Sequence, residues 1–137
     1  MNDNGKIIIA IENRFGLKYW AGCQEDHIDK YFVGIEGYKE NDFVETFTKK
    51  ELISIIENSG YEKYEFYYPY PDYKFPESIY SDGYIPKVGE LNNNIKNMDK
   101  ERMLLFQETK VFDSLIKEEL FPEFSNSFLV VLQKEYI

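Results

Sequence analysis

The chain has 137 residues, of which 43% are hydrophobic and 18% aromatic, and its formal net charge is -9. This length is typical of one domain with one core, so we predict a single domain over residues 1–137. The acidic charge argues against nucleic-acid binding, which needs a positive surface, and against docking on an anionic membrane.

The N-terminal residues and the single cysteine bear on location. Cys23 has no partner for a disulfide within the chain, which fits a reducing compartment. No basic segment followed by an apolar core opens the chain, and the apolar run Ile7 to Ile11 is far shorter than the ~20 residues that cross a bilayer. We therefore expect a cytoplasmic protein without a signal peptide or membrane insertion.

The first predicted element is a strand from Lys6 to Ile11, a continuous β-branched run without polar alternation. Such a run is typical of a strand covered on both faces, as in a parallel sheet with helices above and below. The next residues, Phe15 to Val44, have no strong periodicity and contain four glycines. They predict a long, partly ordered connection with a short helix.

A helix from about Lys49 to Ser59 is the clearest element. Thr48 and Glu51 have the spacing of a capping box, in which each side chain pairs a backbone amide of the first turn. Apolar residues then follow helical spacing, and Gly60 supplies the residue that commonly ends a helix.

The second half of the chain predicts a strand, a loop, helices and a last strand. Tyr64 to Tyr68 alternates like a half-buried strand, and Pro69 and Pro71 end it before an extended loop rich in tyrosine and proline. Phe128 to Leu132 is a second continuous apolar strand. One or two helices are predicted between them, with Asp99 as a cap and with apolar positions at Met103, Phe106, Val111, Leu115 and Ile116.

These segments together resemble the C-terminal part of a class I S-adenosylmethionine-dependent methyltransferase. The resemblance rests on "NGK" before the first strand, on "TFTKKELISIIENSGY", on "YEFYYPYPD" and on "SNSFLVVLQK". It implies the fifth to seventh strands of that family's Rossmann-like fold, with the last strand antiparallel between the other two. We therefore expect an α/β fold with a small mixed sheet of about three strands and flanking helices.

The sequence segments "IAIENRFGLKYWAG…EDH…GIEGY…YYPYPDYKFPESIYSD" are similar to those of one branch of that family, which is associated with bacterial cell-surface polysaccharide biosynthesis. The family's cofactor, S-adenosylmethionine, binds a glycine-rich turn after the first strand, and no G-x-G-x-G stretch occurs here. The resemblance thus implies a chain that lacks the cofactor half, has no cofactor-binding residues and is inactive alone. An excised domain, a truncated reading frame and a partner subunit all remain open.

The predicted site residues lie on loops. Glu12, Asn13 and Arg14 follow the first strand at its carboxyl end, where α/β folds bind ligands, so Glu12 is a candidate base and Asn13 and Arg14 are candidates for acceptor binding. His27, next to Asp26, is the second candidate base, because histidine titrates near neutrality. The alternatives are a polar exit loop and a solvated or packed histidine.

The tyrosine-rich loop provides the remaining candidates for saccharide binding, namely Tyr70, Asp72, Tyr73 and Tyr80. Tyrosine rings suit both sugar recognition and core packing, so both roles stay open. One histidine and one cysteine cannot form a zinc site, and no metal is expected.

The leading function is the acceptor-side portion of a methyltransferase that acts on a cell-envelope saccharide or its precursor. The alternative is a non-catalytic module that binds a saccharide or a protein through the tyrosine-rich loop. Because an absent cofactor half would leave the first strand at an open edge, we also expect self-association or pairing with a cofactor-domain partner.

Overall fold

The computed structural model describes residues 5–25, 28, 30–39, 44–91 and 102–134. Within these ranges the chain forms strands and helices in mixed order, so the predicted α/β class is confirmed. The elements are β1 (Lys6–Glu12), α1 (Leu17–Trp20), α2 (Val33–Glu36), α3 (Lys49–Asn58), β2 (Lys63–Tyr70), β3 (Ser78–Ser81), α4 (Glu108–Lys117), α5 (Phe121–Phe124) and β4 (Ser127–Gln133).

The strands form a four-stranded sheet in the order β1-β4-β2-β3, and all adjacent pairs are antiparallel. Val130 of β4 is opposite Ile9 on one side and Phe66 on the other. Because β1 and β2 are both antiparallel to the strand between them, they run parallel to each other. The predicted mixed sheet is wrong, because every adjacent pair among the described strands is antiparallel. The prediction of about three strands missed β3, which lies in the segment interpreted as a loop.

The prediction that β1 is covered on both faces is wrong. Ile7, Ile9 and Ile11 pack against the core, whereas Ile8 is 66% exposed on the other face. Among the described residues β1 pairs with β4 alone, so it lies at an edge of the sheet. An unbroken apolar run indicates strand propensity, but it does not show whether both faces of the strand are covered.

The core lies on one face of the sheet and is largely aromatic. Phe66, Tyr68 and Phe128 project from β2 and β4, and Phe112 and Phe121 cover them from α4 and α5. The rings of Phe66 and Phe128 meet edge to face with centroids 5.6 Å apart. This geometry is favoured by the ring quadrupoles and adds to the free energy gained from burial.

The predicted α3 helix is confirmed to within a residue at its C-terminal end. Thr48 and Glu51 form both hydrogen bonds of the capping box, at 3.2 and 2.9 Å. Leu52 and Ile56 are the buried positions, and Gly60 follows with a positive φ of 91°.

The segment before α4 differs from its prediction. Met103 lies outside any helix, and its amide donates a hydrogen bond to the Gly22 carbonyl at 2.9 Å. A helix begins only at Glu108, where Val111, Leu115 and Ile116 supply the expected apolar positions. Asp99, the proposed cap, is outside the described residues. None of the helices in the described ranges has the length and apolar character that a membrane crossing requires.

Candidate functional site

The carboxyl ends of β1 and β2 lie at one edge of the sheet, since these two strands run in the same direction. Glu12 ends β1, Tyr70 ends β2, and Ser127 begins β4 between them. Open α/β sheets bind ligands outside the carboxyl ends of parallel strands. The loops that follow β1 and β2 leave the sheet at this end and are therefore the candidate region for a ligand-binding site.

Three charged side chains meet at this edge, and we call Glu12, Lys18 and Asp72 the carboxylate–lysine cluster. Lys18 Nζ lies 2.8 Å from Glu12 Oε2 and donates a hydrogen bond of 2.6 Å to Asp72 Oδ2. The Glu12 and Lys18 side chains are only 5% and 8% exposed, whereas Asp72 is 21% exposed. Asp72 is thus the member of the cluster that solvent reaches most easily.

Burial and charge separate the pKa values of the two carboxyl groups. Burial raises the pKa of Glu12 to about 8, although the Lys18 charge opposes this. Burial also acts against the charged form of Asp72, but Lys18 and hydrogen bonds outweigh it and lower the Asp72 pKa. Burial disfavours the charged form of Lys18 as well, yet the two carboxyl groups raise its pKa above the usual range. Perturbed neighbouring carboxyl groups of this kind are common in functional sites.

A second ion pair extends the charged region on the α4 side. Arg102 Nη2 contacts Glu108 Oε1, and both side chains are almost buried. Lys18 is close enough to oppose the rise in the Glu108 pKa that burial causes. Two cations thus accompany three carboxyl groups, so the region is neutral only when one carboxyl holds a proton. Burial raises the pKa of Glu12 to about 8 and also raises that of Glu108, so one of these two buried carboxyl groups holds this proton.

Asparagine side chains fix the loops around the cluster. Asn13 donates hydrogen bonds of 2.8 Å to the carbonyls of Glu123 and Ser125, and its Oδ1 accepts from the Phe15 amide. Asn126 accepts from the Lys18 amide at 2.9 Å and donates to the Pro71 carbonyl at 3.0 Å. Asn13 therefore positions the exit of β1, and its role in acceptor binding stays a prediction.

Arg14 connects the exit of β1 to α2 and α3. Its Nη1 donates to the Gly34 carbonyl at 2.9 Å, and its Nη2 lies 2.8 Å from Glu51 Oε1. A Cβ on Gly34 would overlap the end of the Glu25 side chain, which would have to move to make room for it. These contacts give Arg14 a structural role, while acceptor binding by its guanidinium stays a prediction.

The turn after β1 does not fit a nucleotide cofactor. Glycine at position 16 serves close packing, because a Cβ there would be 3.0 Å from Asn126 Cα. The Gly16 amide donates to the Asn13 carbonyl at 2.9 Å and is not directed at a ligand. With a helix of four residues behind it, this turn does not form the amide-lined cradle that binds a cofactor pyrophosphate.

The predicted tyrosines are divided between the core and the site. Tyr70 and Tyr80 are buried, with their rings against Phe112 and Phe121. Tyr73 follows Asp72 directly, and its amide donates to Ser127 Oγ at 3.0 Å. The structure therefore brings Tyr73 to the carboxylate–lysine cluster, whereas Tyr70 and Tyr80 stabilise the core. Saccharide binding by the three tyrosines stays a prediction.

His27 and Asp26 are outside the described residues, so the second candidate base has no structural account. Cys23 is buried. Within the described ranges, no group of three or more His, Cys, Asp or Glu side chains is arranged to hold a metal ion.

Lys18 and Asn126 are the site residues that the sequence did not reveal. Both residues lie in segments on which the resemblance rests, but nothing in those segments marks them as site residues, and their contacts join residues separated by 54 and 108 positions. The sequence feature that came closest to indicating a lysine here is Glu12, an acidic residue at the end of an apolar strand. A buried carboxylate needs a cation nearby.

Comparison of the chain with family models, with curated proteins and with solved structures yields no match. The assignment of function therefore depends on the residues, the fold and the geometry of the carboxylate–lysine cluster.

Proposed function

We propose that the chain is the C-terminal, acceptor-side portion of an S-adenosylmethionine-dependent methyltransferase, acting in the cytoplasm on a cell-envelope saccharide or its precursor. The observation that carries the proposal is the carboxylate–lysine cluster at the shared carboxyl edge of β1 and β2. Sugar hydroxyl groups donate hydrogen bonds to carboxylates, and a carboxyl group with a pKa near neutrality can exchange a proton with them.

The strand arrangement supports the same proposal. The resemblance implies that the last strand lies between the other two and is antiparallel to both, and β4 has this place between β1 and β2. The capped α3 helix leads directly into β2, as the helix before the sixth strand does in that family. β3 is an addition to this pattern.

The cofactor is assigned to the rest of the proposed enzyme. Since the turn after β1 does not fit it, no step of methyl transfer is derived for this chain. Its own residues would bind and orient the acceptor, with His27, or Glu12 once it has lost its proton, as the candidate proton acceptor. We expect the isolated chain to be inactive.

Calorimetric titration of the isolated chain with S-adenosylmethionine tests whether the cofactor binds outside this chain. We expect no heat of binding, because the described turns offer no cradle for the cofactor. We also expect the coding sequence upstream of Met1 to specify four strands and a glycine-rich turn. Cofactor binding by the isolated chain, or an upstream sequence without these features, would contradict the proposal.

The edge of β1 is where the missing half would attach. β1 pairs on one side only among the described residues, and an exposed strand edge is a template for another strand. We propose that a cofactor-binding domain covers this edge in the complete enzyme and that a second copy covers it in the isolated chain.

A non-catalytic saccharide-binding module is the second candidate, and one observation favours it. Tyr84 is 62% exposed, and its ring is parallel to that of Tyr80, with centroids 6.3 Å apart and an angle of 6°. A supported aromatic face of this kind can stack on a sugar ring. If Tyr84→Ala abolishes glycan binding and Asp72→Asn does not, the second candidate is favoured over the first.

A further inference from the structure

We propose that Asp72 is the carboxylate that contacts the acceptor, and that Lys18 and Glu12 are positioning residues that hold it in place for a neutral, hydroxyl-bearing ligand. This inference rests on the proposed function for the acceptor class. It differs from the sequence-based interpretation, in which Glu12 is the reactive group of the site.

Asp72 is more accessible to a ligand from solvent than Glu12 is. Both carboxyl oxygens of Glu12 are buried, and the groups that interact with them are Lys18 and Asp72, the other members of the cluster. Asp72 is part of the loop after β2 and keeps a fifth of its side-chain surface in solvent. A ligand that approaches this edge from solvent therefore reaches Asp72 before Glu12.

Two hydrogen-bond donors hold the Asp72 carboxylate in one orientation. Asp72 Oδ2 accepts from Lys18 Nζ at 2.6 Å, and Oδ1 accepts from the Lys74 amide at 3.1 Å. Both oxygens are thus held by donors, while each retains lone pairs for a further hydrogen bond. Lys18 is fixed in turn by Asn126, which binds the Lys18 amide. The carboxylate is preorganised before a ligand arrives.

The charged groups around Asp72 favour a neutral ligand over an anionic one. The charged groups around the site are Glu12, Lys18 and Asp72, with the Arg102–Glu108 pair and the exposed Lys74 nearby. Lys18 and Arg102 are paired with carboxyl groups, and the Lys74 ammonium lies over the Tyr73 ring, so an anionic ligand would meet the Asp72 charge without a cation of its own. A neutral ligand that donates hydroxyl hydrogens to Asp72 has no such penalty.

If Glu12 positions Asp72, ligand binding should depend on pH through the charge of Glu12. At neutral pH it is largely protonated, because burial raises its pKa to about 8. Above that pH it becomes a second negative charge beside Asp72 and competes with it for Lys18. Ligand binding should therefore change as the pH passes through this range, and Glu12→Gln should flatten the change.

The test combines carboxyl NMR with calorimetry on the full chain. Side-chain carboxyl resonances should show Asp72 ionised and Glu12 protonated at pH 6, and Lys18→Met should raise the Asp72 pKa. Methyl glycosides of hexoses and 6-deoxyhexoses serve as neutral probes, and glucuronic acid serves as the anionic probe. We expect heat of binding with a neutral probe and none with glucuronic acid.

The variants separate contact from positioning. Asp72→Asn should weaken binding of the neutral probe at least tenfold at every pH, whereas Glu12→Gln should weaken it less and remove the pH dependence near pH 8. Glu62→Gln, at an exposed position, is the control for loss of one carboxylate.

Three results would overturn the inference. The first is reversed titration, with Glu12 ionised and Asp72 protonated at pH 6. The second is a larger loss of binding in Glu12→Gln than in Asp72→Asn, and the third is no binding of any neutral probe. Each of them leaves the methyltransferase relationship standing. Cofactor binding by the isolated chain, in contrast, contradicts that relationship and leaves the roles of the charges unaffected.

Discussion

The Glu12 carboxyl links the stability of the fold to pH. Its folded pKa of about 8 lies above the ordinary value of 4.5, so the folded chain holds a proton that the unfolded chain releases between these values. The stabilisation by Glu12 is therefore complete below about pH 4.5 and is lost as the pH rises towards 8.

We expect Glu12→Gln to flatten the fall in the free energy of unfolding between pH 5 and pH 8. The wild-type slope should exceed that of the variant by up to about 1.4 kcal/mol per pH unit, which corresponds to one proton. Urea denaturation at intervals across this range measures both slopes. Equal slopes would show that Glu12 is ionised in the folded chain.

Gly22 is a position where only glycine is compatible with the backbone. Its φ is 116°, and an added Cβ would lie 2.7 Å from the carbonyl oxygen of Met103. We expect Gly22→Ala to lower the free energy of unfolding by about 1 to 3 kcal/mol, because both strain and overlap arise. Gly83→Ala, where Ser81 Oγ is the nearest atom at 3.9 Å, is the matched control and should change stability by less than about 1 kcal/mol.

Single residues of the site were predictable when they stood next to a predicted element. Glu12 and Arg14 lie at the end of an obvious strand, and Asp72 closely follows β2, which continues through Pro69 and ends at Tyr70. Lys18 was not predictable, because its role depends on Asp72, 54 residues away. Charge pairing over such a distance leaves no local pattern in a single sequence.

The capping box of α3 is the element-scale feature that local sequence determines most completely. Thr48→Ala removes the hydroxyl that accepts from the Glu51 amide, and Glu51 also pairs with Arg14. We expect a loss of about 1 kcal/mol in the free energy of unfolding, measured by urea denaturation. Ser54→Ala, at an exposed position inside the same helix, should leave stability unchanged or raise it slightly. An equal loss in both variants would argue against the cap.

Elements were predictable where hydrogen bonding or periodicity is local, and their surroundings were not. The α3 helix and strands β2 and β4 follow from capping residues and apolar runs. The short β3 strand was missed, because prolines and tyrosines around it are typical of an extended loop. β1 was predicted as a strand, but its single neighbour depends on where the other strands lie.

At the scale of the whole molecule, the β1 edge predicts association of the isolated chain. Ile8 is exposed on this edge strand, and a lysine there would oppose strand pairing, as charged residues do on natural edges. We expect concentration-dependent dimers or larger species in sedimentation velocity, and a shift towards monomer in Ile8→Lys. Leu104→Lys, at an exposed position outside any strand, is the control. A wild-type chain that stays monomeric at high concentration would contradict this prediction.

The sheet order also has a consequence for synthesis on the ribosome. β4 pairs with both β1 and β2, yet it is the last of the four strands to be translated, and Ile9 meets Val130 about 120 residues further along. β2 and β3 can pair as soon as they emerge, whereas β1 can pair with β4 only when β4 leaves the exit tunnel. The side of the isoleucine-rich β1 segment that pairs with β4 therefore stays open while the residues between them are translated, when binding by a chaperone would protect the nascent chain from aggregation.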